Sequence, residues 1–157
     1  MDPEQRRFLK KKYGAAAWPR VKSRIGRRKS LNLQDLTLPN ARLIKLSRTD
    51  TTRPSRVHAI WQLNDDPDCM IAVSVSVWAS VGATHDELLN LLGTIQSGDV
   101  TQDADQSAIG EIGFSIHDTM NLFATGNVVV MVRNAGKHVV SVRRISEIVD
   151  LFIKRNE

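Results

Sequence analysis

The feature that most constrains this chain is a hydrophobic pattern that occurs twice, 57 residues apart. Ile71, Val73, Val75 and Val77 alternate with smaller or polar residues, the period-2 mark of a strand with a buried face. Leu88, Leu91, Leu92 and Ile95 follow at i, i+3, i+4 and i+7, one stripe of an amphipathic helix. Val128, Val130 and Val132, then Ile145, Ile148, Val149 and Phe152, return in the same order and register. Thr84 with Glu87 three residues on reads as a capping box for the first helix, and Ser141 stands at the matching place before the second. Few residues are identical, so residues 70–96 and 127–153 repeat a pattern, by duplication or by convergence.

A chain that makes strand and then helix twice has to lay two apolar stripes on a sheet, which selects the α+β class. Val57, Ala59, Trp61 and Leu63 form a further alternating run, closed by the turn residues Asn64-Asp65-Asp66-Pro67-Asp68. Strands near 41–48, 109–116 and 119–125, with a hairpin at Gly126-Asn127, complete β-β-β-α twice. The expected fold is a mostly antiparallel sheet of about six strands with two helices on one face, preceded by a basic N-terminal arm. At 157 residues, 41% apolar and 25% charged, residues 31–157 suit a single domain and residues 1–30 a partly helical arm. With Ile71, Val73, Val75 and Val77, and Val128, Val130 and Val132, turned toward the helices, the other sheet face carries Ala72, Ser74, Ser76, Trp78, Val129 and Met131. That face is too apolar to be plainly solvated and too sparse to be a full core; either a second copy of the chain, a ligand or the chain's own arm covers it, or it is ordinary scattered apolar surface.

The formal charge of +5 conceals an asymmetry. Residues 1–30 hold eleven basic side chains (Arg6, Arg7, Lys10, Lys11, Lys12, Arg20, Lys22, Arg24, Arg27, Arg28 and Lys29) against Asp2 and Glu4, a net +9. The rest of the chain holds eleven basic and fifteen acidic side chains, a net −4, so the body alone is not expected to bind nucleic acid. Asp2 as N-cap and Pro3 at the first helical position predict a helix that Gly14 ends. A second start lies at Trp18-Pro19, with Trp18, Val21 and Ile25 on one face. Basic residues interspersed with Phe8, Tyr13 and Trp18 suit an anionic partner: nucleic acid, a membrane surface or an acidic protein groove. Packing of the arm on the chain's own acidic body is the alternative.

Catalytic chemistry finds little support. One cysteine, Cys69, allows no intrachain disulfide and no Cys-based zinc site; the acidic turn before it raises rather than lowers its pKa. Asp103, Asp105 and Ser107 open like a calcium loop, but Ala108 and Phe114 stand where that loop needs glycine and glutamate. Asp65, Asp66 and Asp68 read as a solvated turn. His58, His85, His117 and His138 show no metal-ligand spacing, and no phosphate-cradling glycine loop or nucleophile elbow occurs. One basic cluster stands out: Arg133, Lys137, His138, Arg143 and Arg144 bracket the start of the last helix. Positive charge there opposes the helix dipole unless an anion is bound.

The expectation is therefore a non-catalytic binding or adaptor protein, without cofactor or metal, whose body self-associates or docks a partner and whose arm reaches an anionic one. The alternative is a small-ligand or enzymatic domain using the open sheet face and the basic cluster. Apolar runs reach only five residues, as at Val128–Val132, too short to span a bilayer. The first thirty residues hold no signal-peptide core, which suits a cytoplasmic location.

Overall fold

The computed structural model describes residues 1–18, 31–49, 54–95, 99–104 and 108–155. Arg20, Lys22, Arg24, Arg27, Arg28 and Lys29, and the amphipathic stretch expected beyond Trp18, lie outside the described residues. Helix α1 (Pro3–Lys12) begins as its sequence dictates: Asp2 accepts from the Glu4 N–H at 2.9 Å and Pro3 fills the first position. Gly14, at φ 62°, takes the left-handed conformation just past the helix end. Then come β1 (Ala41–Thr49), β2 (Ser55–Leu63), β3 (Met70–Val77), α2 (Val81–Thr94), β4 (Val100–Gln102), β5 (Ile112–Ile116), β6 (Met120–Thr125), β7 (Val128–Asn134) and α3 (Arg143–Arg155).

The α+β class is observed, in a seven-stranded antiparallel sheet of order β1-β2-β3-β7-β6-β5-β4. The expected six strands become seven because Val100–Gln102 adds β4 outside β5, so the second half reads β-β-β-β-α. At the centre, β3 pairs with β7 from Ile71↔Asn134 to Val77↔Val128, with Ser74 opposite Met131. The 57-residue offset carries Ser74 onto Met131 and Val77 onto Asn134, so this pairing maps onto itself. The symmetry stops there. Residues 64–69 connect β2 to β3, whereas Gly126 and Asn127 alone connect β6 to β7.

The helices correct the sequence expectation most sharply. The two-fold axis of an antiparallel pair stands perpendicular to the sheet, so a strict repeat would deliver both helices to one face. Instead they lie on opposite faces. Val149 and Ile153 of α3 pack with Val73, Val75, Val130, Val132 and Phe123. Leu88, Leu89 and Leu92 of α2 pack with Phe114, Leu122, Ala124 and Val129 on the other side. An apolar stripe states which side of a helix is buried, and says nothing about which sheet face it seeks. The first cap also differs. Ser80 accepts from the Ala83 N–H at 3.1 Å, Thr84 lies buried inside the helix, and Glu87 faces the sheet.

Each face is finished by a segment outside the repeat. Leu31, Leu33, Leu36 and Leu38 cover the β1–β3 half beside α3. On the other face Leu9, Tyr13 and Trp18 join the α2 cluster, so the first eighteen residues pack on the body. The Trp18 ring lies edge-on to His85 and Phe114, and its N–H donates to the Tyr13 carbonyl at 3.0 Å. Arg6 pairs with Asp86 of α2. Among the described residues no helix is long and apolar enough to cross a membrane.

Candidate functional site

Among the described residues, coverage of the α2 face is incomplete. Leu9 of α1 and Leu88, Leu89 and Leu92 of α2 cluster with residues of β5, β6 and β7, and beside them lies a depression bounded by β1, β2, β3, β7 and α2. A cavity of about 300 Å³ sits there. Ser47 and Thr49 of β1, Arg56 and His58 of β2, Ser74 and Ser76 of β3, Glu87 and Leu91 of α2, and Val129 and Met131 of β7 line it. Strand alternation places them: Arg56↔Ser76 and His58↔Ser74 are register partners across β2 and β3, and Ser74↔Met131 and Ser76↔Val129 across β3 and β7. An apolar floor with a few convergent polar groups is the usual composition of a small-molecule site.

The polar groups form two pairs. His58 Nδ1 lies 2.8 Å from Ser74 Oγ. Burial, then the charges of Arg133 and Lys45, hold the His58 imidazole below its ordinary pKa, so its neutral form is favoured. Arg56 donates to the Glu87 carboxylate at 3.3 Å and lies over the Trp78 ring, 5.3 Å from its centre. The Glu87 side chain is only 10% exposed, and Arg56 is its one ion-pair partner among the described residues. The Trp78 indole N–H donates to Ser76 Oγ at 2.8 Å.

Ser74 lies mid-strand in β3, hydrogen-bonded to β2 on one side and β7 on the other. The backbone N–H groups beside it are engaged in those ladders. The cavity thus gathers an arginine, a histidine whose neutral form is favoured, two serines and a buried carboxylate around an apolar floor.

Of the face residues singled out from sequence, Ser74, Ser76 and Met131 line the cavity, and Trp78 flanks it through Arg56 and Ser76. Val129 reaches the cavity from within the core, at 1% exposure. The sequence missed Arg56, His58 and Glu87 as site members. Two belong to the polar half of a strand and one to a capping position in the sequence, and only the packing of α2 beside the strands brings them together. The cluster at 133–144 is dispersed among carboxylates. His138 meets Asp66 at 2.7 Å, Arg143 meets Asp103 at 3.3 Å and Glu147 at 3.7 Å, and Arg144 meets Glu147 at 3.6 Å. Lys137 is exposed, and Arg133 stands on β7 opposite Ala72. In the arm, Arg7, Lys10, Lys11 and Lys12 are exposed; Trp18, expected to touch a partner, is 4% exposed because it closes the α1–α2 core. No family model, curated protein or solved structure matches this chain, so the site is argued from its own geometry.

Proposed function

We propose that this protein is a non-catalytic binding protein that takes a small amphiphilic organic anion into the cavity on the open half of the sheet. The observation that carries this reading is the cavity itself, a concave site where a homodimer interface would favour a flatter face. Its size lies at the lower end of the range typical of ligand pockets, about 300–1,000 Å³. Burial is the first cause of the depressed His58 pKa, and the charges of Arg133 and Lys45, which add to it, favour an anion at the site. An acidic head group would meet Arg56 and His58, its apolar body would lie on Leu91, Val129 and Met131, and a hydroxyl on it would donate to Glu87.

Anilinonaphthalene sulfonate, an aromatic anion, tests the site. The native protein is expected to bind it once, with a blue shift, and Ser74→Phe, which fills the cavity, to abolish binding while the protein stays folded by circular dichroism. Equal binding by native protein and folded Ser74→Phe would remove the proposal.

The exposed run Arg7, Lys10, Lys11 and Lys12, with Phe8 at 62% exposure beside it, supports a second reading, an anionic membrane surface as partner. Burial of Tyr13 and Trp18 takes away two of the aromatics that base stacking would use. Vesicles containing anionic lipid should retain the full chain at low salt and lose it on Lys10→Gln, Lys11→Gln, Lys12→Gln substitution; preference for single-stranded nucleic acid would overturn it.

A further inference from the structure

At the end of β3 away from the cavity, two connections are fastened together: residues 64–69 between β2 and β3, and residues 135–142 between β7 and α3. The Ala135 N–H donates to the Met70 carbonyl at 2.8 Å and the His138 N–H to the Asp68 carbonyl at 3.0 Å. The approach is so close that a Cβ on Gly136 would stand 2.1 Å from the Asp68 oxygen and 2.7 Å from the Met70 nitrogen, both backbone atoms. This clamp gathers three side chains of different chemistry. Cys69 Sγ lies 3.4 Å and His138 Nδ1 2.7 Å from one atom, Asp66 Oδ2. All three donor atoms lie within 4.8 Å of one another.

We propose that Asp66, Cys69 and His138 form a site for one divalent cation of the zinc type. Thiolate sulfur, imidazole nitrogen and carboxylate oxygen together are the donor set that a borderline-soft cation selects, where a carboxylate cluster alone would suit calcium or magnesium. Tetrahedral zinc, with bonds of about 2.0–2.3 Å, sets its donors roughly 3–4 Å apart. The Asp66–Cys69 separation already fits, and the Asp66–His138 separation fits after a sub-ångström outward movement of a histidine that is 59% exposed. The other Asp66 oxygen accepts from the Asp68 N–H at 3.0 Å, which orients the carboxylate as an outer-shell bond does in metal sites.

On binding, the Cys69 thiol gives its proton to solvent, and His138 carries its proton on Nε2 so that the Nδ1 lone pair faces the cation. Water fills the fourth position. Sequence spacing concealed the site because its third ligand lies 72 positions from Asp66 and arrives through the fold.

The test is titration of the full-length reduced protein with Co²⁺, followed by competition with Zn²⁺. The expected result is one equivalent bound, with a sulfur-to-cobalt charge-transfer band that Zn²⁺ removes. Cys69→Ser should abolish the band. His138→Gln, at an exposed position, should weaken binding more than the ~10–100-fold that loss of an outer-shell partner produces. Absence of the band in the native protein overturns the site, as does a band of undiminished affinity in His138→Gln, which would mark binding to the thiol alone.

Discussion

At the scale of single residues, the chemistry of this protein is set by side chains held in surroundings unlike water. His58 is the clearest case. Burial disfavours its charged form, and Arg133 and Lys45, from strands on either side, add repulsion. The unfolded chain takes up a proton near pH 6.5, which folded His58 resists until lower pH. Stability from this group is therefore present above that value and falls as the solution is acidified through it. An NMR titration should place the His58 midpoint below about 6.5, and Arg133→Gln should move it upward. An unmoved midpoint would show that Arg133 exerts no field at the cavity.

At the scale of elements, the legible and the illegible can be separated by cause. Local chemistry was readable: the Asp2-Pro3 start, the Gly14 stop, the alternation in β2, β3 and β7, and the two helical stripes. Choices that depend on distant partners were not readable. Nothing in Leu88 or Leu92 tells that α2 crosses to the face away from α3. The cavity was half legible, since Ser74, Ser76, Trp78 and Met131 follow from strand parity, whereas Glu87 enters it only because α2 lies beside β7. Four leucines within residues 31–38 were a signal of burial that periodicity passed over, being neither strand nor helix for long. The docking of α1 has a measurable consequence. Trp18→Ala should cost about 3–5 kcal/mol and lower the melting temperature by on the order of ten degrees. A drop of a degree or two would mean that the start of the chain contributes little to the fold.

At the scale of the whole molecule, the two sheet edges are protected unequally. The β4 edge has only three residues, whereas β1 runs for nine and is exposed along most of its length. Leu43 and Ile44 are open to solvent there, a row onto which another strand could add. Arg42, Lys45 and Arg48 lie along the same strand, and a register shift between Leu43 and Lys45 interrupts its ladder with β2. Charge and a bulge are the devices by which strand edges resist pairing with other copies. Lys45→Val should produce concentration-dependent association in sedimentation experiments, and a variant that stays monomeric at high concentration would place the protection in the bulge alone.

The central pairing of β3 with β7 also fixes an order in time. Its partners lie between 51 positions (Val77 to Val128) and 63 positions (Ile71 to Asn134) apart. The hairpins on either side can close early, but this joint closes only after the second half of the chain exists, a topology that folds slowly. On a ribosome adding about 5–20 residues per second, β3 waits roughly 3–11 seconds for β7. Through that interval an eight-residue strand rich in valine, Met70–Val77, holds an open edge that β7 later covers. A nascent chain of this protein thus carries its greatest risk of mispairing in the middle of its synthesis, and the risk ends when Asn134 leaves the exit tunnel.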